Sequence, residues 1–154
     1  MDLVQETDLL RKVPMFAKLD ASKLKLLAFT SEMVTFHDSD VLFHLGDCAD
    51  CAYVIMGGEV DVVTDTDAGP VVTSTLRQNQ LIGELGLLNN APRSATLVAN
   101  GEVRVTKISA DMFLRLLAEN SELALDVMRQ LSDKLAKSHS HVEQLQRQLG
   151  QHAN

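Results

Sequence analysis

The residues best suited to chemistry lie in the run Leu81-Ile82-Gly83-Glu84-Leu85-Gly86-Leu87-Leu88-Asn89-Asn90-Ala91-Pro92-Arg93-Ser94-Ala95-Thr96. Gly83 permits a tight turn or a close approach of backbone to a ligand. Glu84 stands where a short helix can begin, and Leu85, Leu87 and Leu88 are placed to anchor that helix on a core. Pro92 ends it and Arg93 opens the next strand. Free N–H groups at a helix N-terminus, with an arginine beside them, suit a phosphate. A carboxylate in the same place would repel phosphate unless it faced a hydrogen-bond donor such as a sugar hydroxyl. The same spacing equally allows an internal Glu84–Arg93 salt bridge beneath a loop.

Other reactive side chains form no comparable constellation. Cys48 and Cys51 make a single CxxC, which supplies only two of the four ligands of a structural zinc site. It falls in a loop between two β-like runs rather than at the start of a helix, where a redox thiolate is stabilised, so a plain structural role is expected. His139 and His141 are two residues apart and point to different faces of a helix. No metal is expected. No nucleophile–base pair or acid pair is visible, so the chain reads as non-catalytic.

These residues must be held by something, and the composition is that of a folded domain. The chain has 154 residues, 45% of them hydrophobic and 23% charged, enough for a real core. Its 14 basic and 21 acidic side chains leave a net charge of −7, which disfavours binding to DNA or an anionic membrane. No apolar run is long enough to span a bilayer. The acidic start, Met1-Asp2-Leu3-Val4-Gln5-Glu6, is unlike a secretory leader, so a cytoplasmic location is expected.

Along the chain a helical entry precedes a β-rich middle and a long helical exit. Helices are expected over Thr7–Lys12, stopped by Pro14, and from an Asp20 cap through Phe29. Seven short β-branched or aliphatic runs follow: Met33–His37, Val41–Phe43, Ala52–Met56, Glu59–Thr64, Val71–Leu76, Ser94–Ala99 and Glu102–Ile108. Gly57-Gly58 and the stretch from Asp65 to Pro70 supply turns between them. Such spacing fits an antiparallel sandwich or jelly roll. Ser109 and Asp111 then open a helix, and Asn120-Ser121 starts another that nothing breaks before Leu149. In that last helix Met128, Leu131, Leu135, Ser138, Val142, Leu145 and Leu149 step alternately by three and four residues, a heptad seam with one polar member. It reads as a homodimer contact, the alternative being an amphipathic helix folded back on its own domain.

The Gly83–Arg93 segment resembles the phosphate-binding cassette of the cyclic nucleotide-binding domain family. The run Gly83-Glu84-Leu85-Gly86-Leu87, a five-residue gap, and Arg93-Ser94-Ala95-Thr96-Leu97-Val98-Ala99 match that pattern position by position. The short gap ending in Pro-Arg looks more like the kinase regulatory and channel branches than like catabolite activator protein. Val41 to Asp47 and Ala52 to Gly58 partly match a second motif, with Phe43 and Ala52 less usual there. The resemblance implies an eight-stranded antiparallel β-roll flanked by N-terminal helices and a long C-terminal helix, with residues 1–120 binding ligand and 121–150 serving as lid and dimerisation helix. It implies no cofactor other than cyclic AMP or cyclic GMP as ligand. Glu84 would accept from the ribose 2′-hydroxyl and Arg93 would pair with the cyclic phosphate, while Gly83, Leu85 and Ser94 would hydrogen-bond around them. Ser94 does not decide the purine. Ser138 and His139 occupy the stretch of the long helix that meets the purine in catabolite activator protein.

The function that follows is a non-catalytic cyclic nucleotide sensor whose ligand moves a dimerising helix. Its alternative is a homodimeric interaction module that binds another ligand, such as a cyclic dinucleotide, or none. Five residues follow Leu149, too few for a helix-turn-helix reader. The output is therefore expected through an unidentified effector protein, or through an effector domain of a longer polypeptide.

Overall fold

A computed structural model describes residues 2–152. Helix α1 (Leu3–Arg11) begins four residues before the expected Thr7, because Asp2 and Gln5 form a reciprocal capping box. Irregular turns through Pro14 bury Val13, Met15, Phe16 and Leu19 and lead to α2 (Ala21–Thr30). Its cap is Asp20, whose carboxylate accepts from the Lys23 backbone N–H at 2.9 Å. The strands are β1 (Glu32–Phe36), β2 (Val41–Phe43), β3 (Cys51–Thr66), β4 (Gly69–Leu76), β5 (Leu81–Ile82) and β6 (Thr96–Ser109). A short α3 (Glu84–Asn89) separates β5 from β6, and α4 (Ala110–Glu119) and α5 (Ser121–His152) close the chain.

Among the described residues all strand pairings are antiparallel, and the continuous strands number six rather than eight. The runs expected as separate strands on either side of Gly57-Gly58, and of Asn100-Gly101, are single long strands, β3 and β6. They pair with each other throughout but change register where Gly57 faces Arg104 and Glu59 faces Asn100. Gly57-Gly58 is therefore a bend inside a strand and not a turn between two. Gly58 has φ +93°, and a Cβ there would run into the Glu102 carbonyl oxygen, so only glycine lets the two backbones cross this closely. On one side of the bend β1 and β5 flank the pair; on the other β2 and β4 do. Two four-stranded ladders result, which is how six strands make a roll with the expected inside and outside.

The strand pleat divides the interior into two cores. Along β3, Ala52 and Val54 face a core shared with the helices, including Phe16, Leu24, Leu27 and Phe113, whereas Cys51, Tyr53 and Ile55 face the inside of the roll with Val60, Leu97 and Val105. The two residues of β5 serve one core each, Leu81 the helical one and Ile82 the roll. The last helix is rooted in the helical core by Leu123 and Val127, with Leu131 packed at its edge. Beyond Lys134 its described side chains are exposed, and at about 1.5 Å per residue it projects well clear of the roll. The seam residues Met128, Leu135, Val142, Leu145 and Leu149 are all exposed in the single chain, Leu135 at 71%. Ser138, the polar member, is exposed too. Among the described residues no helix is long and apolar enough to cross a membrane.

Candidate functional site

The mouth of the roll is built by the turn from β5 into α3. Gly83 caps α3 with φ +82° and offers no side chain to the first N–H groups of the helix. A Cβ at Gly83 would lie 2.6 Å from Nη1 of Arg93, so the glycine is required by the arginine as well as by the turn. Of the leucines expected to anchor α3, only Leu87 is buried; Leu85 and Leu88 are exposed, since a six-residue helix presents one face to the core. Gly86 also faces inward, where a Cβ would meet Ala49.

Arg93 is 4% exposed, although it opens a loop-to-strand junction. Its backbone N–H donates to Asp47 O at 2.8 Å and its carbonyl accepts from Gly46 N at 2.9 Å, which fixes it against the β2–β3 loop. From there Nη1 donates to Gly83 O at 2.8 Å and Nη2 to Cys51 O at 2.6 Å, with Cys51 Sγ at 3.4 Å. The guanidinium lies 4.2 Å over the ring of Phe43, which in turn stacks on Tyr53. Among the described residues Nε is buried without a hydrogen-bond partner. Buried polar atoms are normally paired, so this N–H points to an acceptor from outside the chain. The nearest carboxylate, Asp50, is 4.0 Å from Nη2 and highly exposed.

Glu84, the first residue of α3, is 1% exposed. It does not pair with Arg93, so the internal Glu84–Arg93 bridge is not formed. Its carboxylate instead accepts from Lys134 Nζ of α5 at 2.7 Å. Lys134 also donates to Leu81 O at 3.3 Å, and Gln130, one turn earlier, bonds both the N–H and the C=O of Leu81. Polar side chains of the long helix thus grip the edge of β5 immediately before the site.

Between these elements lies a cavity of about 290 Å³, close to the lower limit of ordinary small-molecule sites (~300 Å³). Gly83, Glu84, Leu85, Arg93 and Ser94 form one end; Val62, Ser74 and Leu76 of the β3–β4 hairpin form the other; Lys134 and Lys137 overhang it. Three cations against one carboxylate make this cavity electropositive in a chain of net charge −7. Ser138 and His139 do not line it: both are exposed, and His139 bridges to Glu143 at 3.0 Å. The reason is helical phase, because Gln130, Lys134 and Lys137 share the face turned to the roll, while Ser138 lies toward the seam.

Cys48 and Cys51 are both free thiols, and they part company in the structure. Cys48 is exposed in the loop, whereas Cys51 is buried as the first residue of β3 and holds Arg93. Burial pushes the Cys51 thiol above its ordinary pKa, and burial likewise raises the Tyr53 phenol beside it. Sequence reasoning missed Phe43, Cys51, Gln130, Lys134 and Lys137, and the lining residues Val62, Ser74 and Leu76. A polar stripe at 130, 134 and 137 was the available signal for the lysines; nothing local marked Cys51, whose carbonyl does most of the work. Among the described residues no three His, Cys, Asp or Glu side chains gather as a metal site.

The family model for the cyclic nucleotide-binding domain matches residues 33–120. A cAMP-dependent protein kinase regulatory subunit from Mucor circinelloides f. lusitanicus is 31% identical over 124 residues, which is 80% of this chain and 28% of that protein. The chain thus spans only about 28% of the length of such a kinase regulatory subunit. A cyclic nucleotide-binding-like protein from Brucella abortus is 31% identical, with TM-score 0.62 over 75% of this chain and 99% of that one. The N-terminal domain of a transcriptional regulator from Streptomyces coelicolor A3(2) is also 31% identical, with TM-score 0.63 over 88% of this chain and 95% of that one.

Proposed function

The chain belongs to the cyclic nucleotide-binding domain family, and we propose that it is a non-catalytic sensor of cyclic AMP or cyclic GMP. The observation that carries this reading is the buried Arg93 with its unpartnered Nε on the wall of an electropositive cavity. A cyclic phosphate supplies the missing acceptor, and the first N–H groups of α3, left without a side-chain cap by Gly83, lie alongside. Glu84 is the acceptor for a ribose 2′-hydroxyl, and Gly83, Leu85 and Ser94 complete that end. The apolar Val62 and Leu76 at the other end suit the faces of a purine.

Residues 1–120 carry the binding roll, and 121–150 are the helix that serves as lid and dimerisation element. Because Lys134 and Gln130 tie α5 to the site itself, a ligand that binds one setting of the helix better than another shifts its position. The exposed Met128, Leu135, Val142, Leu145 and Leu149, with Leu131 at the edge of the core, make the helix a homodimer seam, and the signal passes to an effector protein or an effector domain. Calorimetric titration with cyclic AMP and cyclic GMP in parallel tests the reading. Saturation near one ligand per chain supports it and identifies the purine; no heat and no thermal shift with either refutes it in favour of an interaction module.

A further inference from the structure

We propose that Lys134 sets the affinity and the sugar selectivity of this site by occupying Glu84 in the free protein, so that ligand and long helix compete for one carboxylate. The inference rests on the cyclic nucleotide reading above. The Glu84 side chain is 2% exposed, and among the described residues Lys134 Nζ, at 2.7 Å, is the only hydrogen-bond donor it meets. Lys134 itself is 34% exposed and comes from a helix whose next turns leave the domain. One partner of the pair is therefore fixed in the floor of the site and the other is carried on the long helix.

A buried carboxylate stripped of its cation is costly, so Glu84 cannot simply be vacated. A 2′-hydroxyl donates one neutral hydrogen bond, a weaker partner than an ammonium group. Lys134 holds Oε1 of Glu84, so a ligand hydroxyl that takes this oxygen displaces the lysine, and the phosphate contact at Arg93 contributes to doing so. The grip of Lys134 and Gln130 on Leu81 loosens with it, which hands the helix a reason to move that is written in hydrogen bonds. A second consequence concerns selectivity: while Lys134 satisfies Glu84, a 2′-deoxy ligand forfeits little, whereas with Lys134 gone the hydroxyl becomes the best donor available.

The test compares Lys134→Met with Lys137→Met. Both remove one positive charge overhanging the cavity, but only the first touches Glu84. Titration uses cyclic AMP, cyclic GMP and their 2′-deoxy forms, and thermal melts verify that each variant is folded. Lys134→Met is expected to tighten the ribose ligands by about tenfold, within the ~5–150-fold range of coupled sites, and to widen the ribose-to-deoxy ratio. Lys137→Met, which only lowers the attraction for an anion, is expected to bind no tighter than the parent protein. In a Glu84→Gln background the gain from Lys134→Met is expected to vanish, and in the free protein backbone amides around Lys134 exchange faster once the lysine is removed. The proposal is overturned if Lys134→Met weakens binding as Lys137→Met does, or leaves the ribose-to-deoxy ratio unchanged. If the parent protein binds no cyclic nucleotide at all, it is the functional reading that falls, and this inference falls with it.

Discussion

Replacing Arg93 separates its structural duty from its binding duty. In the free protein the guanidinium donates to Gly83 O at 2.8 Å and to Cys51 O at 2.6 Å, and covers Phe43 at 4.2 Å. Each charged hydrogen bond is worth about 1.5–3 kcal/mol, and a desolvated cation–π contact about 2 kcal/mol. Keeping a charge 96% out of water offsets most of that, since the effective penalty is several kcal/mol per buried ion. Arg93→Ala should therefore lower unfolding stability by no more than about 2 kcal/mol. Binding has no such offset, because the burial cost is already met before ligand arrives and the unpartnered Nε awaits an acceptor. Loss of a buried charged contact costs about 3 kcal/mol, which is a rise in dissociation constant of roughly 150-fold. Arg93→Lys retains the charge but lacks the planar fork that spans two carbonyls and a phosphate, and should fall between. Urea denaturation and calorimetric titration of the same preparations give both numbers. A folded Arg93→Ala protein whose affinity for every cyclic nucleotide bound by the parent changes by less than about fivefold, or ~1 kcal/mol, would refute the assignment.

Three further outcomes are expected. Gly83→Ala places a Cβ 2.6 Å from Arg93 Nη1 at a φ of +82°, so it should cost about 1–2 kcal/mol of stability and, by displacing the guanidinium, a larger loss in affinity; a lowered melt with unchanged affinity would separate the two residues. A thiol reagent at pH 8 should modify Cys48 quickly and Cys51 only on unfolding, because burial raises the Cys51 pKa and so keeps it in the unreactive thiol form as pH rises through the ordinary cysteine range; two fast thiols per native chain would contradict the buried contact with Arg93. Leu135→Asp, at a seam position 71% exposed in the single chain, should leave the fold intact and convert dimer to monomer by light scattering; a dimer that persists would place the interface elsewhere.

How much could be read from the sequence depended on the distance over which each feature is decided. Asp20 and Ser109 as caps, the unbroken helix after Ser121, and the Gly83–Arg93 cassette are all settled within a few residues, by hydrogen-bonding side chains, helical period and the freedom of glycine. The start of α1 was missed, although the Asp2–Gln5 box that sets it is equally local. Gly57-Gly58 misled, because a glycine pair that turns a chain and one that bends a strand look alike until the opposing Glu102 carbonyl is in place.

The site divides in the same way. That Glu84 and Arg93 belong to one short segment is a property of the sequence alone. What each does in the free protein is a property of the fold: Arg93 reaches back 42 residues to Cys51, and Glu84 is held by a lysine 50 residues further on. Helical phase then chose Lys134 and Lys137 over Ser138 and His139 to face the cavity. Local rules act through bonds a turn or less apart. Which buried charge meets which partner is decided only when strand register and helix packing bring distant residues into one low-dielectric place, where leaving either of them unpaired is too costly.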